Sequence, residues 1–257
     1  MRPECRHPLR VRDLLIGGPR PVVCLPLVAA DAAGLAAQAA GLLALGPDLV
    51  EWRVDHLDAV HRPAAVMAAL TILRENLGAL PLLFTCRRRA EGGRQAISPA
   101  AREDLVRQAV ASGRVDLVDA ELSNPAPMTE RIAAACREAG VRLVLSHHDF
   151  ERTPAAGDIL ARLAEARQRG ADIAKVAVAA RDPGDVLTLL AAAWEARGEA
   201  VGIPVVAIAM GAEGSLSRVI GPLFGSDLCF AAGTAASAPG QIPAADLRRA
   251  WEALGII

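Results

Sequence analysis

The stretch that decides the fold is Asp172-Ile173-Ala174-Lys175-Val176-Ala177-Val178, a short run of mostly apolar residues. Its length and its β-branched content predict a buried β-strand. Residues 158–169 before it and residues 183–197 after it have the apolar spacing of amphipathic helices. A strand between two helices is the repeating unit of a parallel sheet that is covered on both faces.

This strand carries Lys175, which is the only lysine in the chain. A lysine is rarely buried in a strand unless it is paired or functional. A desolvated lysine can act as an amine nucleophile, whereas arginine keeps its proton near neutral pH. We therefore hypothesise that Lys175 forms a Schiff base with a carbonyl substrate. The alternative is an ordinary lysine at the end of a strand.

The strand-then-helix pattern occurs eight times along the chain. Strands are predicted at residues 22–27, 49–54, 80–85, 116–121, 141–146, 172–178, 204–209 and 226–231. Each is followed by a predicted helix, at residues 31–45, 63–76, 99–112, 129–139, 158–169, 183–197, 213–220 and 243–254. Eight such units in 257 residues predict a single (β/α)8 TIM barrel spanning residues 1–257. A doubly wound sheet is the competitor, but residues 28–31 lack the glycine fingerprint that usually follows its first strand.

Two segments fall outside this repeat. Residues 1–20 form an N-terminal extension, and residues 11–16 and 21–27 flank Gly17-Gly18-Pro19, so we predict that they pair as a short hairpin. Residues 233–243 join the last strand to the last helix and are rich in glycine, alanine and proline. We expect this segment to be a loop of the barrel.

The composition excludes several classes of protein. Apolar residues make up 53% of the chain and the net charge is −1, so there is no electrostatic case for nucleic acid or for an acidic membrane surface. No run approaches the about 18 apolar residues that a membrane span needs. The N-terminus lacks the apolar core of a signal peptide, which favours the cytoplasm. The five cysteines show no metal-ligand spacing, so reduced thiols and no metal site are expected.

Polar residues gather where the predicted strands end, which is where the active site of a (β/α)8 barrel lies. They are Glu51-Trp52-Arg53-Val54-Asp55, Thr85-Cys86-Arg87 with Glu91-Gly92-Gly93, Asp119-Ala120-Glu121, Ser146-His147-His148, Lys175, Met210-Gly211 with Ser217-Arg218, and residues 237–241. Simpler interpretations stay open. The charges at 51–55 suit a salt-bridge layer, and Asp119 and Glu121 suit a role confined to orienting arginines. Neighbouring side chains of a strand point to opposite faces, so at most one of His147 and His148 enters the barrel.

In this order along residues 21–254, the motifs resemble the type I 3-dehydroquinate dehydratase family. The resemblance rests on Glu51-Trp52-Arg53-Val54-Asp55, Phe84-Thr85-Cys86-Arg87 with Glu91-Gly92-Gly93, Ser146-His147-His148-Asp149-Phe150, Ala171-Asp172-Ile173-Ala174-Lys175, Met210-Gly211 with Ser217-Arg218, Phe224-Gly225-Ser226, and Ser237-Ala238-Pro239-Gly240-Gln241. It implies loss of water from 3-dehydroquinate to give 3-dehydroshikimate, in the shikimate route to aromatic amino acids, with a small-molecule substrate and no cofactor. By family analogy the protein is expected to be a homodimer.

The same resemblance implies a role for each site residue. Lys175 would form the imine, His148 would be the general acid and base, and Glu91 would orient His148. The substrate carboxylate would be held by Arg218, Ser237 and Gln241, and the ring hydroxyls would contact Glu51, Arg53 and Arg87. Residues 233–243 would be the lid over the active site. Pro26, His147 and Cys229 depart from the common pattern; Cys229 is expected to affect packing only.

The chemistry fits those roles. The proton to be removed lies next to a ketone, and a protonated imine provides the electron sink that makes its removal possible. The lysine must first be neutral, which an apolar strand and neighbouring arginine cations are expected to favour. A class I aldolase also uses an imine on a barrel, but a sugar phosphate would need a phosphate site near strands seven and eight. A non-catalytic barrel predicts loss of Lys175, His148 or Arg218, and all three are present.

Overall fold

The computed structural model describes residues 2–199, 201–233 and 238–257. Within them the chain begins with a small antiparallel hairpin of β1 (Leu9–Val11) and β2 (Leu14–Ile16). The strands that follow form a parallel sheet in the order β10-β3-β4-β5-β6-β7-β8-β9. These strands are β3 (Val22–Leu27), β4 (Leu49–Arg53), β5 (Leu82–Thr85), β6 (Leu117–Glu121), β7 (Arg142–Asp149), β8 (Ile173–Ala179), β9 (Val205–Met210) and β10 (Leu228–Phe230).

A helix follows each strand of the parallel sheet. The helices are α1 (Ala32–Leu43), α2 (Pro63–Leu77), α3 (Pro99–Ala111), α4 (Ala126–Ala139), α5 (Ala156–Gln168), α6 (Pro183–Glu195), α7 (Leu216–Ile220) and α8 (Ala244–Ala253). Prolines at the first turns of α2, α3 and α6 favour helix starts there, because the missing N–H is not needed at that position. The predicted (β/α)8 barrel is confirmed. None of the helices in the described ranges is long and apolar enough to cross a membrane.

The barrel closes between β9 and β10 by few bonds. One bridge pairs Val205 with Ser226, just before β10, and the Ala207 N–H donates to Ser226 Oγ at 3.1 Å. The other neighbouring strands pair along regular parallel ladders, such as the six residue pairs that join β7 to β8. At the junction of β9 and β10, a serine side chain therefore provides one of the hydrogen bonds that backbone groups provide between the other strands.

The predicted N-terminal hairpin exists, but its strands are different. Leu9–Val11 pairs with Leu14–Ile16, whereas Val22–Leu27 is the first strand of the barrel. The turn falls at Arg12, which has φ of 53°, and not at Gly17-Gly18-Pro19. Val11 and Ile16 pack into the barrel interior. The hairpin therefore stays at the barrel because it buries two apolar side chains there.

Among the described residues, four aspartates make the same pair of bonds at the amino ends of the strands. Asp48, Asp116, Asp172 and Asp227 lie just before β4, β6, β8 and β10. Each donates its N–H to a carbonyl of the preceding strand, and its carboxylate accepts the N–H of that same residue at 2.8–2.9 Å. An arginine also pairs with each carboxylate. This repeat fixes the register of alternate strands at the end opposite the polar residues.

Alternation along the strands separates the two faces of the sheet. In β8, Ile173 and Ala177 pack in the barrel interior, whereas Ala174, Val176 and Val178 pack under the helices. Lys175 has the same parity as Ile173 and Ala177, so it lies in the interior row. The interior is apolar at the amino ends of the strands and becomes polar toward their carboxyl ends.

Candidate active site

The polar ends of the strands enclose a cavity of about 210 Å³. The predicted site residues that line it are Glu51, Arg53, Arg87, Glu91, His148, Lys175, Arg218 and Gln241. Ile208, Met210, Phe150 and Phe230 provide apolar walls. The structure therefore brings together side chains delivered by most strands of the barrel. Ser237, also predicted to bind substrate, lies outside the described residues.

Lys175 is a buried residue of the cavity wall. Its amine donates to Asp119 Oδ2 at 3.1 Å and lies 4.3 Å from the centre of the Phe230 ring. The sequence led us to expect arginine cations around the amine, but the charged group in contact with it is a carboxylate. Arg87 is linked to the amine through Asp119, because it binds the other carboxylate oxygen of that residue.

Asp119 connects the lysine to a buried ion-pair network. Arg87 Nη2 lies 2.8 Å from Asp119 Oδ1, and Ser146 Oγ donates to the same oxygen at 2.6 Å. Burial alone would raise the pKa of Asp119, but Arg87 and Lys175 hold that pKa at about 2. Asp119 is therefore a permanent anion at the base of the cavity.

Arg87 is held rigidly by the same network. Its Nη1 donates to Glu121 Oε1 at 3.1 Å and to Ser146 Oγ at 2.7 Å. Burial opposes its charge, but Asp119 and Glu121 keep the pKa of Arg87 above its ordinary value. Asp119 and Glu121 do orient an arginine, as the simpler sequence interpretation had it, and Asp119 also contacts the lysine.

His148 and Glu91 form the second reactive pair. His148 Nδ1 lies 3.1 Å from Glu91 Oε2, and the His148 backbone N–H donates to the same oxygen at 3.1 Å. Burial lowers the pKa of His148 well below 6.5, and the cations Arg87, Lys175 and Arg53 act in the same direction. Burial raises the pKa of Glu91. His148 is therefore a neutral base near pH 7.

The neighbouring His147 lies on the other face of β7, in agreement with the alternation of strand side chains. Burial lowers its pKa, and Arg162 of α5 acts in the same direction. Only His148 of the two lines the cavity.

Arg53 and Glu51 occupy the cavity wall formed by β4. Arg53 makes a two-bond contact with Asp55, at 2.9 and 2.8 Å, and donates to the Gly92 carbonyl at 3.1 Å. Glu51 Oε1 accepts the Thr85 hydroxyl at 2.8 Å. Both side chains are therefore positioned before any ligand arrives. Arg53 pairs with Asp55 within the same segment, and Glu51 meets a neutral hydroxyl of the next strand, so neither of these contacts is an inter-strand ion pair, and both side chains line the cavity.

Arg218 reaches the cavity from α7 and is tied to the last loop. Its Nε donates to the Gly240 carbonyl at 2.8 Å, and its Nη1 and Nη2 donate to the carbonyls of Phe230 and Pro239 at 3.0 and 3.3 Å. Burial lowers the pKa of Arg218, and the nearby Cys229 opposes this shift. Cys229 lies beside a site residue, and the expectation that it affects packing only stays a prediction.

Two residues of the site were not recognised from the sequence as partners of the reactive groups. Ser146 joins Arg87 to Asp119, and Ser123 donates to Glu91 Oε1 at 2.5 Å. Ser146 lies two residues before His148 on β7, so strand alternation places both side chains in the barrel interior. The sequence therefore did contain a signal for Ser146. Ser123 lies in the loop after β6, where no periodicity applies.

A buried amine, a neutral histidine and several fixed arginines suit a small anionic carbonyl compound, so fold and site define a barrel enzyme that works through a lysine. Comparison with known proteins narrows this class. Residues 23–257 match the sequence profile described as type I 3-dehydroquinase. The chain belongs to the type I 3-dehydroquinase family.

Individual relatives agree with this membership. The chain is 43% identical to the 3-dehydroquinate dehydratase of Klebsiella pneumoniae subsp. pneumoniae, over 91% of this chain and 93% of that protein. The crystal structure of 3-dehydroquinate dehydratase from Geobacillus kaustophilus superposes with a TM-score of 0.96 at 39% identity, covering 99% of this chain and 98% of that one. The crystal structure of the type I enzyme of Clostridium difficile, solved with covalently modified comenic acid, superposes with a TM-score of 0.93 at 33% identity. The match covers 96% of this chain and 97% of that one.

Proposed function

We propose that this chain is a 3-dehydroquinate dehydratase that converts 3-dehydroquinate to 3-dehydroshikimate and water through an imine on Lys175. The reaction is a step of the shikimate route to aromatic amino acids. The observation that carries the proposal is the buried Lys175 amine in one cavity with His148. Membership of the type I family supports the choice of substrate.

The first step joins the amine to the substrate ketone. The neutral Lys175 nitrogen attacks the carbonyl carbon, and the carbonyl oxygen, after taking up one amine proton and one proton from solvent, leaves as water to give a protonated imine. Asp119, 3.1 Å from the amine, holds it in place and offsets the positive charge of the imine. The apolar walls around Phe230 keep this charge away from bulk water.

The elimination then follows on the imine. His148 removes a proton from the carbon next to the imine, and the electron pair moves toward the imine nitrogen to give an enamine. The electrons return to expel the neighbouring hydroxyl, which leaves as water with the proton that His148 took. Water finally hydrolyses the imine, so the amine and the histidine return to their starting states.

The remaining site residues hold the substrate in this proposal. Arg218, Ser237 and Gln241 bind its carboxylate, and Glu51, Arg53 and Arg87 contact its ring hydroxyls. Arg218 has five N–H groups and donates three bonds to backbone carbonyls, so it retains donors for a carboxylate. Residues 233–243 act as the lid, whose described end already contacts Arg218.

Borohydride trapping tests the proposal. The protein is incubated with 3-dehydroquinate, reduced and digested, and the mass increment is located by peptide mapping. We expect it on Lys175, and the chain's single lysine makes the assignment clean. Turnover without an adduct at Lys175 would exclude the imine mechanism.

The matched control is Lys175→Arg, which keeps the charge but cannot form the imine. It should fold normally, trap nothing and lose kcat by about 10³-fold or more. Turnover retained by this variant would mean that Lys175 is not the nucleophile.

Two further proposals rest on family analogy. We propose a homodimer that works in the cytoplasm. Sedimentation equilibrium should give twice the mass of one chain, and a single species at the mass of one chain would contradict the homodimer. Fractionation of the source cells should place the activity in the cytoplasmic fraction.

A further inference from the structure

A continuous line of hydrogen bonds runs from the rim of the barrel to His148. Arg88 Nη1 donates to Ser123 Oγ at 2.7 Å, and Ser123 Oγ donates to Glu91 Oε1 at 2.5 Å. The other carboxylate oxygen, Oε2, faces His148. The two oxygens of Glu91 therefore have different partners, one toward the rim and one toward the cavity.

The direction of these bonds follows from the arginine. A guanidinium only donates, so the Ser123 oxygen is an acceptor toward Arg88, and its single proton is directed to Glu91 Oε1. Oε1 is thereby confined to accepting, and any proton that Glu91 holds must be on Oε2. Oε2 also accepts the backbone N–H of His148, so it favours the tautomer in which Nδ1 carries the proton. The lone pair of the imidazole is then on Nε2.

We propose that Ser123 is a positioning residue for the reaction, which together with Arg88 fixes the direction of hydrogen bonding through Glu91 so that His148 presents an unprotonated Nε2. The role rests on the proposed function, since it needs His148 to be the base. Ser123 acts through Glu91 and lines no part of the cavity wall itself.

The electrostatics of Glu91 agree with this geometry. Burial raises the pKa of Glu91, and the bond from Ser123 opposes that rise. Loss of the hydroxyl should therefore leave Glu91 easier to protonate. Because Ser123 is exposed, water replaces part of the lost bond, and the effect on rate should be moderate.

The kinetic test compares Ser123→Ala with Ser123→Thr, which keeps the hydroxyl. The control is Ser112→Ala, at the end of α3, which precedes β6, whereas Ser123 follows β6 at its other end. In Ser123→Ala we expect kcat to fall about 5- to 10-fold, with KM within about twofold and the acid limb of the kcat profile moved to higher pH. Ser123→Thr should restore both, and Ser112→Ala should match the wild type. Unchanged kcat and acid limb in Ser123→Ala, or a threonine variant no better than alanine, would overturn the role.

Nitrogen-15 NMR of histidine-labelled protein gives a readout that needs no turnover. A His148→Gln sample identifies the signals of His148 among the five histidines. The wild type should show Nδ1 protonated and Nε2 bare, and Ser123→Ala should show a mixture of tautomers. An inactive wild type with the expected tautomer would count against the proposed function alone. An active wild type with Nε2 protonated would overturn the positioning role alone.

Discussion

The Asp119 carboxylate serves two buried cations with its two oxygens. Lys175 contacts Oδ2, and Arg87 contacts Oδ1. Asp119→Asn keeps the shape but leaves Lys175 without its counter-charge and leaves Arg87 with Glu121 alone. We expect the free energy of unfolding to fall by about 3–5 kcal/mol. We also expect kcat to fall about 100-fold, because the amine loses its alignment.

Urea denaturation and initial rates measure the two effects of Asp119→Asn. Asp58→Asn, on an exposed aspartate, is the matched control and should change neither. A variant as stable and as active as the wild type would show that Asp119 neither neutralises nor positions the lysine.

The pH dependence at the residue scale follows from His148 and Glu91. His148 must be neutral to accept a proton, and its pKa lies well below 6.5 because of burial and nearby cations. Acidification therefore protonates it only below that value. The acid limb of kcat/KM should lie below pH 6.5, as measured at constant ionic strength from pH 4.5 to 8. Glu91→Gln should lower kcat and move the limb lower still, since an amide stabilises the imidazolium less than a carboxylate does. A limb centred above pH 6.5 would contradict the burial of a neutral histidine.

At the scale of elements, the aspartates at the amino ends of the strands should matter for stability alone. Asp116 accepts the Leu82 N–H and pairs with Arg74 and Arg12 at 2.9 and 2.6 Å. Asp116→Ala should reduce the free energy of unfolding by about 1–3 kcal/mol, because a backbone N–H and two cations lose their partner. Its kcat should equal that of the wild type.

Thermal or urea unfolding, with kcat beside it, checks the Asp116 variant. Asp104→Ala, on the exposed face of α3, is the control and should be neutral. If Asp116→Ala lost kcat under conditions in which it is fully folded, a change at the amino ends of the strands would affect the active site at their carboxyl ends, contrary to this prediction.

The elements themselves were largely predictable, because the strands and helices have their own apolar periods and most helices are followed closely by a glycine. The first hairpin shows where this fails. Its turn uses Arg12 with positive φ, and no glycine, asparagine or proline marks that position, whereas the glycine pair that did suggest a turn lies after β2.

The site was predictable as a set of residues, since the barrel gathers the strand ends. Its pairings were not. Whether Lys175 meets Asp119 or an arginine depends on the stagger of strands that are 56 residues apart. The link from Ser123 to Glu91 joins two loops, for which no sequence period exists.

At the scale of the whole molecule, stability and chemistry lie at opposite ends of the barrel. Ile16 of the hairpin is fully buried in the interior at the amino ends of the strands. Ile16→Ala should cost about 2–5 kcal/mol of unfolding free energy with kcat unchanged at temperatures where the variant is folded. Calorimetry would measure the loss of stability. Initial rates, taken about 20 °C below the unfolding midpoint so that the variant is folded, would measure kcat.

The last loop should respond in the opposite way, with chemistry affected more strongly than stability. Gly240 has φ of 76°, its carbonyl accepts Arg218 Nε, and a Cβ there would overlap the Gly211 carbonyl oxygen. Gly240→Ala therefore prevents the loop from docking on Arg218 and on the end of β9. We expect kcat/KM to fall about 10- to 100-fold, because a lid that cannot close leaves the substrate carboxylate misplaced.

Gly255 provides the control for this glycine substitution. It has φ of 64°, but a Cβ there meets nothing within 4 Å. Gly255→Ala thus introduces the same backbone strain without the overlap, and only stability should change, by about 1 kcal/mol. If both variants kept full kcat/KM, docking of the loop would not be needed for catalysis. If both lost it equally, strain and not docking would be the cause, so only a loss confined to Gly240→Ala supports a lid that closes through Gly211 and Arg218.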